Sequence, residues 1–329
     1  MARRVTFRPF AEGGRREAPG EGVDVFIQQI INGLTLGAVY AIVALGYTMV
    51  YGIIQLINFA HGEVVMVGAL VAFSVITALA PSGLPPAVIV LIAAGCAVPV
   101  CMALGYAMER LAYRPLRGAP RLAPLITAIG VSIILQHVAM MIWSRNPLAF
   151  PQIIQAKLYY IGGATITNVQ IAILAVCLGM MAALAAVVYR TKLGAAMRAT
   201  AQNPQVAGLM GIDANRIIAV TFLIGAAMAA VAGVMVANYY GIAHYTMGAP
   251  LGLKAFCAAV LGGIGNIPGA MLGGILLGVV EALGAGYIGD FTNNIFGSNY
   301  QDVFAFLVLI LVLVLRPSGL LGERVGERA

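Results

Sequence analysis

Long apolar runs dominate the chain, and short charged clusters separate them. Between Asp24 and Glu109 the only formal charge is Glu63, and between Arg216 and Glu281 it is Lys254. A helix needs about 20 apolar residues to cross the hydrocarbon core of a bilayer, so each window holds several crossings. Lipid offers the backbone no hydrogen-bond partner, which leaves helices and closed barrels as the spanning structures. These runs are continuously apolar, whereas barrel strands alternate. The pattern therefore predicts an all-α fold, a polytopic transmembrane helical bundle of about 8–9 membrane segments. They cover residues 27–49, 62–80, 86–108, 122–143, 168–189, 217–240, a broken segment over 251–283, and 302–315.

Composition agrees, with 61% hydrophobic and only 9% charged residues, against about 25% charged in an ordinary soluble domain. A net charge of +7 invites a nucleic-acid reading, but the basic residues cluster between spans, where a membrane protein places its cytoplasmic loops. One such loop carries Arg110, Arg114, Arg117 and Arg121, and another Arg190, Lys192, Arg198 and Arg216. The end of the chain carries Arg316, Arg324 and Arg328. These three are assigned to the cytoplasm. The weakly charged loop 144–167 and the acidic stretch 281–301 are assigned outside.

Segment 251–283 then starts and ends outside, so it enters the membrane and returns. The run Gly262-Gly263-Ile264-Gly265-Asn266-Ile267-Pro268-Gly269 supplies the break. It is either a tight hairpin or a pore-lining interruption of the kind transporters use. Residues 1–24 hold five Arg but no apolar core of a signal peptide, and are expected to form a flexible tail. Residues 25–322 form the transmembrane domain, with a cytoplasmic loop at 190–216, and 323–329 form a cytoplasmic tail. Counting crossings puts the N-terminal tail outside, against the bias of its arginines. If residues 27–60 instead form two short membrane segments, the tail returns to the cytoplasm.

The polar residues inside the apolar runs are the candidates for function. Asn58, His61 and Glu63 sit beside long hydrophobic stretches, and a charge at bilayer centre costs about 2.5–3.5 kcal/mol on insertion scales. They either line a polar path or, for Asn58 and Glu63, cap a helix start. His137 is expected to hydrogen-bond between helices, and Lys254 to snorkel toward an interface. Cys96, Cys101, Cys177 and Cys257 lie in apolar segments without metal-ligand spacing and read as small core residues. Spacings such as Gly33/Gly37, Gly225/Ala229/Gly233, Gly265/Gly269/Gly273 and Gly274/Gly278 suit close helix approach. No phosphate-cradling GxxxxGK[ST] loop and no hydrolase motif is present, and no cofactor is implied.

The stretch Asn32-Gly33-Leu34-Thr35-Leu36-Gly37-Ala38-Val39-Tyr40-Ala41, followed by Gly46-Tyr47-Thr48-Met49-Val50-Tyr51-Gly52 and Ile57-Asn58-Phe59-Ala60-His61-Gly62-Glu63, resembles the opening of bacterial branched-chain amino-acid ABC permeases of the LivH type. Glu109–Arg117, Ile129-Gly130-Val131-Ser132 and Leu253–Ala270 extend the resemblance, which runs from about residue 26 to 322. It implies a pore-forming subunit of an ATP-driven importer that is not itself an ATPase, in a bacterial inner membrane. Cytoplasmic ATPase subunits, a second homologous permease chain and an extracytoplasmic substrate-binding protein are the implied partners, besides membrane lipid; nucleic acid is not among them.

Within the loop 190–216 the resemblance marks Arg198, Ala199, Gly208 and Gly211 as ATPase-coupling residues. Polarity at membrane depth marks Asn58, His61, Glu63 and Asn266 for the translocation pathway. Permeases for urea or short amides share much of the pattern and stand as the alternative. An ion-coupled secondary transporter is less favoured, because no set of intramembrane carboxylates is legible.

Overall fold

A computed structural model describes residues 21–120, 122–161, 163–291, 300–316 and 318–322; the remainder of both expected tails, 1–20 and 323–329, lies outside the described residues. The helices are α1 (Glu21–Ile54), α2 (His61–Leu79), α3 (Pro86–Ala107), α4 (Leu122–Ile142), α5 (Asn168–Arg190), α6 (Lys192–Gln202), α7 (Pro204–Leu209), α8 (Ala214–Tyr240), α9 (Gly248–Gly262), α10 (Ile267–Phe291) and α11 (Gln301–Leu315). Among the described residues seven helices are long and apolar enough to span a membrane, while α9 and α11 are shorter. The protein is thus an all-α polytopic bundle. Most helix limits follow the apolar runs, but α1 starts at Glu21, ahead of the expected 27, and α10 continues through Glu281 to Phe291. Four short strands, β1 (Leu148–Ala149), β2 (Leu158–Ile161), β3 (Ala164–Thr167) and β4 (Ile242–Ala243), add two antiparallel pairs, β1 with β4 and β2 with β3.

Local chemistry sets several ends. Thr167 and Gln170 form a reciprocal capping box at the start of α5, and Asp213 accepts the N–H groups of Asn215 and Arg216 to start α8. Gly241, at φ 68°, terminates α8 in the left-handed conformation that a side chain resists.

The first span is one unbroken helix, which removes the alternative of two short segments. At 34 residues and about 1.5 Å per residue, α1 exceeds the thickness of a hydrocarbon core. Its beginning is tied to the β2–β3 hairpin by Gln28, whose Oε1 accepts the Thr165 N–H at 2.8 Å. Gly52, near its other end, lies against Gly265. α10 runs antiparallel beside it. A Cβ on Gly33 would lie 2.6 Å from the Val279 Cα, and one on Gly37 2.6 Å from the Ile275 Cα. Backbone therefore meets backbone, as the Gly33/Gly37 and Gly274/Gly278 spacings lead one to expect.

This arrangement sorts the molecule into two ends. The turn between α9 and α10 lies at the end that carries α6 and α7, and the β2–β3 hairpin and the β1–β4 pair lie at the other. Helix α1 forms the centre of the bundle, with 78% of its most apolar window buried, whereas α4 has 17% buried and presents its surface to lipid or another chain.

Candidate functional site

The link between α1 and α2, residues 55–60, gathers the first polar group. The Asn58 side chain is buried and its Oδ1 accepts the Ala60 N–H at 3.1 Å and the Tyr113 hydroxyl at 2.8 Å. His61 opens α2, with its ring edge-on to Tyr47 at 4.8 Å between centroids. Its space exists because residue 46 is glycine: a Cβ there would strike the imidazole. Glu63 is completely buried, and its Oε1 accepts Ser132 Oγ at 2.9 Å and Gln136 Nε2 at 2.8 Å, both from α4.

The structure corrects the capping reading for Glu63. Ala60 stands at the N-cap of α2 without a side-chain bond, and the Glu63 carboxylate reaches across to α4 instead. Asn58, His61 and Glu63 lie close along the chain, and Tyr47, from the stretch 46–52, packs against His61 and near Glu63. Thr48 Oγ1 and Glu63 Oε2 are buried without a hydrogen-bond partner, while Tyr47 Oη and His61 Nε2 have only loose backbone neighbours, at Gly62 and Val43. Each unpartnered atom carries a desolvation cost of about 1–3 kcal/mol.

Asn266 lies elsewhere, in the turn between α9 and α10. Its Oδ1 accepts the Gly269 N–H at 3.0 Å and starts α10, while its Nδ2 donates to the Leu321 carbonyl at 2.8 Å. Leu320 and Leu321 donate their N–H groups to Leu261 and Gly262, so the chain after α11 is laid along this turn. Gly263, at φ 104°, admits that close approach.

Loop 190–216 folds into α6 and α7. Thr191 Oγ1 accepts the Gly194 N–H at 3.1 Å and caps α6, and Asn203 accepts the N–H groups of Gln205 and Val206 to cap α7. Met197 and Thr200 bury one face of α6, and Arg198 donates to the Val188 carbonyl at the end of α5. Ala199 is half-buried beside it. Gly208 and Gly211 flank the bare pair Leu209 and Met210, which are 87% and 79% exposed. A cavity of about 110 Å³ joins the two regions, lined by Thr48, Gly52, Met197, Arg198 and Gly265 among others. Arg198 and the turn that holds Asn266 therefore share one space, whereas Gly208 and Gly211 face away from the bundle.

Two charged groups escaped the sequence reading. At the foot of α3 a π-helical turn, Met108–Tyr113, directs Glu109 inward, where it takes Arg114 at 2.9 Å and also binds Arg117. The second group corrects the expectation for Lys254, which does not snorkel. Its Nζ lies 2.7 Å from Glu281 Oε1 and 2.6 Å from Asp302 Oδ1, and donates to the Tyr40 hydroxyl at 3.2 Å; Tyr40 in turn donates to Glu281 Oε2 at 2.9 Å. One carboxylate within an apolar helix, Glu281, and a second at the start of α11, Asp302, therefore meet Lys254. Sequence gave one usable signal, the lone cation in a long apolar window, since such a charge must find a partner. His137 is also corrected: it bonds the Ile133 carbonyl of its own helix at 2.8 Å and is exposed. Cys96 is exposed, while the other three cysteines are buried.

The family model described as "Branched-chain amino acid transport system / permease component" matches residues 29–313. The chain is 49% identical, over 92% of its length and 98% of the relative's, to the high-affinity branched-chain amino acid transport system permease protein BraD of Pseudomonas aeruginosa. It is 46% identical, over 92% of its length and 97% of the relative's, to LivH of Escherichia coli, which carries the same description. A shorter similarity, 32% identity over 41% of this chain and 39% of the relative's, links it to the autoinducer 2 import system permease protein LsrC of Escherichia coli. No solved structure matches.

Proposed function

We infer the work of this chain from the family to which it belongs, the permease components of branched-chain amino acid transport systems. It is the pore-forming permease subunit of an ABC importer and moves branched-chain amino acids across a membrane. Cytoplasmic ATPase subunits supply the energy, a second homologous permease chain completes the pore, and an extracytoplasmic binding protein delivers the solute. The membrane is the bacterial inner membrane. The observation that carries the reading is the shared cavity at the inner end: α6, bearing Arg198, rests where α1 ends and where α9 turns into α10. Force applied to α6 and α7 reaches both the central helix and the broken segment. Arg198 and Ala199 hold α6 to the bundle, and Gly208 and Gly211 let α7 offer Leu209 and Met210 to an ATPase cleft.

In the resulting cycle, closure of the ATPases moves α6 and α7 as a lever, and the bundle alternates between two openings. Asn58, His61 and Glu63 provide polar surface along the path, and Asn266 holds the turn at its inner mouth. The test is a thiol placed at Gly211 in an otherwise intact transporter. An impermeant reagent labels it from the cytoplasmic side of inverted vesicles and not in intact cells, and bound ATPase protects it. Labelling in intact cells overturns the coupling role.

A further inference from the structure

A second cavity, of about 270 Å³, opens at the hairpin end of the bundle, between α1, the end of α8 and the start of α9. Ile242 and Met247 give it apolar walls, and Tyr40, Tyr240, His244 and Lys254 give it polar ones. It is smaller than the roughly 300–1,000 Å³ of pockets for drug-sized ligands, and suits a solute the size of one amino acid. The Lys254 ammonium lines this cavity and donates to Glu281 and the Tyr40 hydroxyl, while the Asp302 carboxylate lies against it as an ion-pair contact without a hydrogen bond. The two carboxylates holding it differ. Glu281 is buried and both its oxygens are engaged, one by Lys254 and one by Tyr40. Asp302 sits in the first turn of α11 with its side chain 48% exposed, and only its Oδ1 lies against Lys254.

On these observations we infer that this cavity is an entry site for a zwitterionic, apolar-side-chain amino acid, whose carboxylate replaces Asp302 on Lys254. Asp302, freed, takes the substrate ammonium. Glu281 and Tyr40 keep Lys254 in place throughout. The exchange demands both charged groups of the substrate, because a carboxylate alone must displace Asp302 without giving it a new partner. An ammonium alone cannot replace Asp302 on a cation. The apolar walls receive the side chain. Neutral amides and urea lack the groups that drive the exchange, so the site separates amino acids from those solutes independently of any binding protein. The inference rests on the reading of the chain as an amino-acid permease and names a site for it.

The test uses Met247→Cys in a Cys96→Ala chain assembled with its partner subunits, and follows labelling by a water-soluble maleimide. L-Leucine is expected to protect the thiol, and both 4-methylpentanoate and leucinol to protect at concentrations at least tenfold higher. Asp302→Asn, a substitution at a half-exposed position, raises the leucine concentration needed about tenfold while leaving that of 4-methylpentanoate unchanged or lower, since the acid no longer competes with a carboxylate. Lys254→Met removes protection by both. Equal protection by all three compounds, or no protection by leucine, overturns the site when the same complex still imports leucine with ATP. Absence of ATP-driven leucine uptake by the parent complex overturns the permease reading itself, and the site with it.

Discussion

The polar cluster at the start of α2 and the Lys254–Glu281–Tyr40 cluster joining α9, α10 and α1 are both largely taken out of solvent, but they are completed to different degrees. At the second, Lys254, Glu281 and Tyr40 satisfy one another over 2.7–3.2 Å. At the first, Glu63 keeps one engaged oxygen and one bare oxygen, and the Thr48 hydroxyl adds another unmet atom. Apolar surroundings penalise both, yet only the complete cluster recovers the cost through mutual bonds. The Lys254–Glu281 pair is therefore a built part of the fold. The incomplete cluster is kept at a cost in stability, which points to use during transport.

Cutting the complete cluster is expected to give the largest effect. Glu281→Ala leaves Lys254, now held only by Asp302 and Tyr40, with its buried counter-ion removed. Removing one partner of a buried pair costs about 3–5 kcal/mol. Thermal unfolding of the purified chain in detergent should show a loss of that order, and the double variant Lys254→Met/Glu281→Gln should recover most of it. A single variant as stable as the parent would mean that the pair contributes nothing to the fold.

The incomplete cluster should respond the other way. In Glu63→Gln the amide oxygen can still accept from Ser132 and Gln136, so stability changes by less than about 1 kcal/mol. ATP-driven leucine uptake is expected to fall about tenfold, equivalent to about 1.4 kcal/mol on the transport barrier. Normal uptake with normal assembly would return Glu63 to a purely structural role.

The two clusters were also unequally legible. Asn58, His61 and Glu63 lie within six consecutive residues, so sequence alone could bring them together. Lys254, Glu281 and Asp302 are spread over three helices, and loop charge places Glu281 with the acidic stretch 281–301 outside, whereas it lies buried within α10. Most helix limits were readable, since lipid makes apolar length the dominant constraint, but α1 extends beyond 27–49 at both ends and α10 continues past 283 to Phe291. What apolar length cannot specify is which face of each helix turns inward. That depends on close backbone contacts such as Gly37 with Ile275, and so the partners of Lys254, and the distance from Asn266 to the α2 cluster, emerge only in three dimensions. The proposed coupling residues Arg198 and Gly208 could be placed in one loop, but that Arg198 lines a cavity while Gly208 faces away from the bundle could not be read there.

The smallest expected effect tests the border between the two kinds of cluster. Tyr113 donates to Asn58 Oδ1 at 2.8 Å and packs its ring against Phe222 at 5.3 Å between centroids. Tyr113→Phe keeps the ring contact and removes only the hydroxyl. Asn58 Oδ1 retains the Ala60 N–H, so no acceptor is left bare, and the net cost should be that of one neutral hydrogen bond, about 0.5–1.5 kcal/mol. If the 55–60 link is only a structural turn, uptake should follow stability and remain near that of the parent. If Asn58 belongs to the polar path, loosening it from α3 should depress uptake several-fold at a temperature where the chain remains fully folded. Uptake and thermal unfolding measured on the same preparation separate these two outcomes.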